Sequence, residues 1–388
     1  MSPTDAVFLL AESREHPMHV GGLQLFELPD GASPDFVREL YEQMAVQTDI
    51  QPTFRKHPAT LLGGVSNIGW AVDADVDLDY HLRRSALPSP GRVRDLLELV
   101  SRLHGTLLDR HRPLWEAHLI EGLQGNRFAV YTKMHHALID GVSALRLTMR
   151  TLSDDPADTE VRVPWALPAK RPRSNRPAPS LLETITGTVG STVGAVAGLA
   201  PSTLKVANAA LVKQQLTLPF AAPKTIFNVK IGGARRFAAQ SWPLDRIKRV
   251  KAAAGVTVND VVLAMCAGAL RAYLIEQNAL PDAPLIAMVP VSLRSEAEAH
   301  AGGNMVGSIL CNLGTDVEDA ARRLQTVSAS MKGNKEVFAA LPRVEALALS
   351  ALMIAPLGLG VVPGFVGAAP PPFNVVISNV PGPREPMY

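Results

Sequence analysis

The sequence is poor in cysteine and in aromatic residues, and it carries almost no excess charge. Only two of its 388 residues are cysteine, 5% are aromatic, and 38 basic residues stand against 36 acidic ones. The low cysteine count excludes a disulfide scaffold, and Cys266 and Cys311 lie in apolar segments. We expect both to be reduced core thiols of a cytosolic protein. A net charge of +2 gives no basic footprint for nucleic acid.

Targeting and nucleotide-binding signals are missing as well. The N-terminus lacks the basic region and cleavage site of a signal peptide. The glycines between residues 187 and 198 lack the Lys-Ser/Thr ending of a phosphate-binding loop. Residues 184–204 and 346–373 carry no charge, but proline and small residues interrupt them. We expect a packed or interfacial helix in the first and a tunnel wall or membrane-facing patch in the second, and no membrane span.

The most informative pattern lies in residues 129–150, which read as a buried strand, a turn and a helix. Gly141 can make the turn, and Ser143 is a candidate helix N-cap rather than a nucleophile. His135 and His136 stand at the end of the strand. Because neighbouring strand residues point to opposite faces, one imidazole is expected to face a reaction site and the other the protein interior.

The chemistry expected of this pair is proton transfer. A neutral imidazole can remove a proton from a hydroxyl at physiological pH. Asp140 follows the pair, where it could hold an Arg, orient the turn or contact a His. Metal binding is disfavoured because no Cys or Glu cluster lies nearby. His104, His111 and His118 recur every seven residues, but Pro113 interrupts any helix through them. The alternative to catalysis is a satisfied histidine pair in the core.

The full pattern His135-His136-x-x-x-Asp140-Gly141 resembles the HHxxxDG signature of chloramphenicol-acetyltransferase-like acyltransferases. Its context resembles one family more closely, the bacterial wax ester synthase/diacylglycerol acyltransferases. The residues that carry this closer resemblance are Pro113-Leu114-Trp115-Glu116, the segments 8–10, 17–22, 120–123 and 232–238, the pair Asn259-Asp260, and Asn379-Val380-Pro381-Gly382-Pro383. Trp115 is also expected to pack in the core.

The resemblance implies a fold, an activity and a set of site residues. The fold is two α/β domains of the chloramphenicol-acetyltransferase type, with His136 at the cleft between them. The activity is transfer of a fatty acyl group from the co-substrate acyl-CoA to diacylglycerol or a long-chain alcohol, with no metal and no other cofactor. His136 would be the general base, Asp140 would pair with Arg235 or Arg236, and Asn259 would donate to the oxyanion.

The predicted domain order is an N-terminal acyltransferase domain (1–153), a linker and crossover helix (154–224) and a C-terminal domain (225–388). Residues 154–180 interleave prolines with basic residues, a composition typical of a segment that does not fold alone. Family members continue for several strands beyond position 388. The resemblance therefore implies an incomplete second domain, an unpaired sheet edge and weak activity.

Two other functions are compatible with these residues. One is an acyl-CoA-dependent acyltransferase that acts on a polyketide or another lipid acceptor. The other is an inactive protein that binds lipid surfaces. In every case the sequence favours a cytoplasmic protein attached peripherally to a membrane or a lipid droplet.

Overall fold

The computed structural model describes residues 1, 3–61, 64–139, 141–168, 221–229, 231–292, 306–339, 370–383 and 385–388. Asp140, the uncharged stretch 184–204 and most of 346–373 lie outside the described residues. The chain divides into two compact units. The first contains residues 1–174, 231–239 and 381–388, and the second contains residues 175–230 and 240–380. The first unit is thus discontinuous in sequence, and the predicted boundaries at 153 and 224 stay predictions.

The first unit is built on a four-stranded sheet. Its strands are β1 (His19–Glu27), β4 (Leu82–Ala86), β5 (Trp115–Leu123) and β6 (Arg127–His135), and they adjoin in the order β1-β6-β5-β4. Strand β6 is antiparallel to both β1 and β5, whereas β4 and β5 are parallel. Strands β2 (Lys56–Leu61) and β3 (Gly64–Val72) form a separate hairpin.

Helices of the first unit cover both faces of this sheet. They are α1 (Pro3–Ala11), α2 (Phe36–Ala45), α3 (Leu78–His81), α4 (Val93–Gly105) and α5 (Gly141–Thr151). Alternate residues of the strands point to opposite faces. Residues such as Trp115 and Leu119 pack with Met44 of α2, whereas Ile120 and Tyr131 belong to the cluster that includes α4. Burying each such side chain stabilises the unit by roughly 1.5–3 kcal/mol.

Trp115 is a core residue, as predicted. Its indole is stacked between the rings of His81 and Trp165, with centroid distances of 4.5 and 5.1 Å. The indole N–H donates to the Phe54 carbonyl at 2.8 Å, so its polar atom is satisfied. The Trp165 ring belongs to the expected linker, and Val163 is buried beside it. The part of the linker before residue 169 therefore packs on the first unit, because its large apolar side chains outweigh its proline content.

Residues 75–82 do not form one extended segment. Residues Leu78–His81 form α3, a single helical turn, and the chain becomes extended only at Leu82. The Asp77 carboxylate accepts from the Tyr80 N–H at 3.2 Å and so begins the turn. A capping Asp stabilises a helix start that apolar spacing alone does not indicate.

The second unit contains a three-stranded sheet and three described helices. Strands β7 (Ile286–Ser292), β8 (Val306–Asn312) and β9 (Val375–Val376) adjoin in the order β8-β7-β9, antiparallel and then parallel. The helices are α6 (Leu244–Ala254), α7 (Val258–Glu276) and α8 (Ala320–Ala339). The core lies between the sheet and the helices α7 and α8, and it includes Leu263, Leu310 and Val327. Cys311 is buried in this core, Cys266 is half-buried in α7, and both are free thiols.

Among the described residues, one helix, α7, is long and apolar enough to cross a membrane by length and composition. A core helix of a soluble protein passes the same test. The α7 residues Leu263, Ala267 and Leu274 are fully buried in the core of the second unit. The start of α7 is a capping box, in which Thr257 accepts from the Asp260 N–H and the Asp260 carboxylate accepts from the Thr257 N–H. Thr257 is thus the N-cap of α7.

Candidate functional site

The histidine pair is placed by the pairing of β6 with β1. His135, the last residue of β6, is opposite His19, the first residue of β1. The His136 N–H donates to the Met18 carbonyl at 2.8 Å, which continues the pairing one residue beyond the strand. The backbone of both histidines is therefore fixed by the Met18-His19 segment that the sequence linked to the same family.

The His135 imidazole is fully buried, with a hydrogen bond at one ring nitrogen and a carboxylate near the other. Its Nδ1 accepts from the Ala137 N–H at 3.0 Å. In the neutral ring an accepting Nδ1 leaves the proton on Nε2. This Nε2 lies 3.3 Å from Glu12 Oε1, inside hydrogen-bonding and electrostatic range. His135 is thus the histidine that faces structure, as strand alternation predicted.

Glu12 is the anchor of His135, and only 1% of its side chain is exposed. The same Oε1 accepts from the Met18 N–H at 3.1 Å, and Oε2 pairs with the Arg110 guanidinium at 3.0 Å. Burial raises the pKa of this carboxyl, but the contacts with His135, Met18 and Arg110 outweigh burial and lower the pKa to about 2. Glu12 is therefore ionised at any physiological pH.

His136 has different surroundings from its neighbour. Its ring is only partly buried and stacks on Phe8, with centroids 4.9 Å apart and planes within 14°. Phe8 lies in α1, and Glu12 directly follows this helix. Four residues span just over one helical turn, so α1 and the residue after it place Phe8 beside His136 and Glu12 beside His135. His136 is thus partly buried and His135 enclosed, and the catalytic role of His136 stays a prediction.

A buried charged cluster lies farther along the same sheet face. Lys133, also fully buried, approaches Glu116 Oε2 at 3.1 Å, and His118 Nε2 lies 3.3 Å from this oxygen. Lys133 Nζ also donates to the carbonyls of Leu103 and Thr106 at the end of α4, both at 3.0 Å. Burial lowers the pKa of Lys133. Burial also disfavours the charged Glu116, yet the contacts with His118 and Lys133 lower its pKa to about 2. This cluster ties α4 to the sheet beside the histidine pair.

His104 and Tyr131 extend the polar face. His104 Nδ1 and the Tyr131 hydroxyl are 2.8 Å apart, and His19 Nε2 donates to the His104 carbonyl at 2.7 Å. A Cβ on Gly21 would come within 2.9 Å of the Tyr131 ring, so only glycine fits there. Burial lowers the pKa of His19 to about 4 and that of His104 below its usual value, so both rings are neutral at pH 7.

Helix α5, which follows the histidine pair, differs from the prediction in two details. It begins at Gly141, so Ser143 lies inside the helix and is not its N-cap. Gly141 does not adopt a left-handed backbone conformation, so it starts the helix rather than making a special turn. Asp140 lies outside the described residues, and its ion pair stays a prediction. Of its two candidate partners, Arg235 donates to the carbonyls of Glu15, Gly232 and Ala234, and Arg236 is exposed.

The predicted oxyanion donor, Asn259, is the second residue of α7 and is half-buried. Its neighbour Asp260 is buried and serves the capping box, with a further hydrogen bond from the Ser328 hydroxyl at 3.2 Å. Asp260 therefore has a structural role at the start of α7, and Asn259 lies outside the capping box. Asn259 belongs to the second unit and His136 to the first, and the role of Asn259 stays a prediction.

Within the described part of the chain, no group of three or more His, Cys, Asp or Glu side chains could hold a metal ion. The three histidines at seven-residue spacing lie on three different segments of the chain and share no helix. His104 is in α4, His118 is in β5, and His111 is exposed in the loop between them. The chemistry these residues offer is proton transfer by a half-buried imidazole whose neighbours are fixed.

Sequence reasoning missed Glu12, and it noted Phe8 only as part of the family-like segment 8–10. Both lie more than 120 residues before the histidine pair, and nothing local connects them to it. The available signal was the four-residue spacing of an aromatic and an acidic residue at the end of an apolar N-terminal helix. The Lys133 cluster also went unnoticed, although a lysine in the middle of an apolar strand calls for a buried partner.

Comparison with solved structures defines the class of fold. The starter condensation domain of rhizomide synthetase matches 98% of this chain and 78% of its own, with a TM-score of 0.50 and 13% identity. The wax ester synthase/diacylglycerol acyltransferase from Marinobacter aquaeolei VT8 matches 100% of this chain and 83% of its own, with a TM-score of 0.76 and 40% identity. The predicted chloramphenicol-acetyltransferase-like fold is thereby confirmed.

The chain belongs to the wax ester synthase/diacylglycerol acyltransferase family. The model of the family's catalytic domain matches residues 1–262, and the model of its C-terminal domain matches residues 302–388. The probable diacylglycerol O-acyltransferase tgs2 of Mycobacterium tuberculosis is 68% identical over 390 residues. A second putative diacylglycerol O-acyltransferase of this organism is 61% identical over 388 residues. Both alignments cover 100% of this chain and 85% of the relative.

Proposed function

We propose that this protein transfers a fatty acyl group from acyl-CoA to the hydroxyl of diacylglycerol or of a long-chain alcohol. The observation that carries the proposal is the asymmetry of the histidine pair. His135 is buried and held by Glu12, whereas His136 is partly open and rests on Phe8. This arrangement occurs in a chain whose family consists of such acyltransferases.

In the proposed reaction His136 acts as general base. It removes the proton from the acceptor hydroxyl while the oxygen attacks the thioester carbonyl carbon. The tetrahedral intermediate carries an oxyanion, and the Asn259 amide is the proposed donor to it. Collapse forms the ester and breaks the carbon–sulfur bond. His136 then returns its proton to the departing CoA thiolate. The enzyme forms no covalent intermediate and ends the cycle in its starting protonation state.

The test is an acceptor panel with purified protein. Acyl-CoA is supplied with diacylglycerol, hexadecanol or a water-soluble alcohol, and both released CoA and the ester are measured. We expect triacylglycerol or wax ester to form in amounts equal to the CoA released. CoA release without ester would indicate thioesterase activity instead. No reaction under conditions in which the Marinobacter enzyme is active would refute the proposal.

We also propose that the protein is cytoplasmic and attaches reversibly to a membrane or lipid-droplet surface. Its acceptors are confined to such surfaces because their acyl chains are insoluble in water. The attachment would be peripheral, since residues 184–204 and 346–373 are interrupted by proline and small residues. Carbonate washing of the membrane fraction is expected to release the protein. Retention in the pellet would argue for a spanning segment.

A further inference from the structure

Helix α6 buries none of its residues, and nine of its eleven residues are exposed. Only Ile247 and Ala254 are half-buried, and both contact a small cluster that includes Val256. Just before the helix, Trp242 is 50% exposed, and Leu244 at its first position is 53% exposed. Tryptophan and leucine exposed to this extent lose favourable burial energy unless another surface covers them.

The same segment is also basic. Residues 242–254 contain four Lys or Arg and one acidic residue, Asp245, a net charge of +3. The remainder of the chain has 34 basic and 35 acidic residues, a net charge of −1. Positive charge is therefore concentrated on this segment. Such a concentration creates a local potential that attracts anionic partners.

The geometry of α6 combines the two features. Leu244, Lys248 and Lys251 share one side of the helix, because they follow four- and three-residue spacing. The Arg246 guanidinium lies over the Trp242 ring, 5.8 Å from its centroid. Lys248 approaches Asp245 at 3.7 Å, but both side chains are largely exposed, and an ion pair in water holds a lysine only weakly.

We propose that Trp242 and helix α6 form the surface by which this protein docks on anionic lipid bilayers. We call it the α6 surface, and it comprises Trp242, Leu244, Lys248 and Lys251. Tryptophan favours the interface between headgroups and acyl chains, and lysines reach the phosphates while their alkyl stems stay near the lipid. This proposal rests on the lipid-surface attachment proposed above, and it does not depend on the acyl-transfer activity.

The pairing of exposed apolar and basic side chains favours a bilayer over the phosphates of a soluble ligand such as CoA. A phosphate site needs donors in fixed geometry, which exposed lysines on one helix side do not provide. A phosphate site also does not require an exposed indole or leucine side chain. A bilayer interface uses both, since basic side chains bind the headgroups and Trp242 and Leu244 enter the apolar region.

The experiment is vesicle co-sedimentation of the full chain, with phosphatidylcholine vesicles that either contain or lack phosphatidylglycerol. Each lysine near an anionic surface contributes about 1 kcal/mol, or roughly fivefold in binding. Lys248→Gln/Lys251→Gln is therefore expected to bind anionic vesicles about 25-fold more weakly. Trp242→Ala/Leu244→Ala is expected to weaken the binding that survives high salt. Lys332→Gln/Lys335→Gln, the same charge change on exposed positions of α8, is the matched control and should bind like the wild type.

The outcomes separate the proposals. Wild-type protein that does not bind anionic vesicles would refute both the surface attachment and its location on α6. If the α6 variants bind anionic vesicles as well as the wild type does, the location on α6 would be refuted but the surface attachment would not. The KM for acyl-CoA in detergent is measured for the same proteins and should not change. A raised KM together with unchanged vesicle binding would show that these lysines bind CoA phosphates, and the lipid proposal would be wrong.

Discussion

Glu12 lies 3.3 Å from His135, and through one backbone residue it also fixes His136. Its Oε1 accepts from the Met18 N–H, and the Met18 carbonyl accepts from the His136 N–H. A single buried carboxylate thus holds the ring of one histidine and the backbone of the other. Phe8, one helical turn earlier, completes the arrangement by packing on the His136 ring.

The first prediction concerns Glu12→Gln. The pKa of Glu12 falls from 4.5 to about 2 on folding, so its ionisation stabilises the fold above pH 4.5. That contribution, on the order of 3 kcal/mol, is lost as the pH falls from 4.5 toward 2. Glu12→Gln should therefore lower the free energy of unfolding at pH 7, and its difference from the wild type should narrow in acid. Urea titrations at several pH values measure both.

A second buried carboxylate of the same protein serves as the control for this prediction. Glu116 also has a pKa lowered to about 2, so the variant should keep part of the acid sensitivity. The unfolding free energies of wild type and variant could instead differ by the same amount from pH 7 to pH 3. That result would show that the ionisation of Glu12 does not stabilise the fold.

The second prediction concerns His136→Ala. Loss of general-base catalysis should reduce turnover by ~10²–10⁴ with little change in melting temperature, because the ring is only partly buried. His135→Ala, the matched variant, should lower the melting temperature, since it leaves Glu12 buried without its histidine. Acyl-CoA consumption and thermal unfolding are measured for both. Wild-type turnover in folded His136→Ala would refute the assignment of the base.

The third prediction concerns the ring stacked on His136. Phe8→Leu keeps the apolar character but removes the flat face, and aromatic pairs contribute about 1 kcal/mol beyond burial. We expect kcat to fall roughly fivefold while the KM for acyl-CoA stays unchanged. Phe8→Tyr keeps the ring and should retain most of the activity. Equal losses in both variants would show that packing volume, and not ring orientation, is what Phe8 supplies.

Local patterns predicted the elements that carry the histidine pair but not the residues that fix it. Strand alternation separated His135 from His136 correctly because it depends only on neighbouring residues. Glu12 and Arg110 reach His135 through tertiary contacts, which no local pattern encodes. The interpretation of Ser143 as a cap was wrong because the helix starts two residues earlier, at Gly141.

Composition left two buried residues of the predicted linker unidentified. Residues 154–180 have the proline and basic content of a linker, and residues 169–180 lie outside the described part of the chain. Two large side chains before them, Val163 and Trp165, nevertheless bury themselves against Trp115 and its neighbours. A composition average does not register two anchoring residues, although the burial energy of a tryptophan exceeds the cost of ordering a short segment.

The last prediction separates two glycines that share a left-handed backbone. Gly91 and Gly255 have φ values of 68° and 66°. A Cβ on Gly91 would lie 1.7 Å from the Gly122 carbonyl oxygen in β5, whereas a Cβ on Gly255 meets no described atom within 4 Å. Gly255→Ala should therefore lower the free energy of unfolding only through strain in the left-handed backbone, by about 1 kcal/mol. Gly91→Ala must also displace a strand backbone.

The expected cost of Gly91→Ala is on the order of 3 kcal/mol or more, because overlap with rigid backbone adds to the same conformational strain. Urea unfolding of the two variants side by side gives the difference directly, and Gly255→Ala serves as the control for strain alone. Similar stabilities for the two variants would mean that the loop holding Gly91 moves away from β5 at little cost. That result would contradict the close approach of Gly91 to Gly122, which joins the loop before α4 to the sheet that carries the histidine pair.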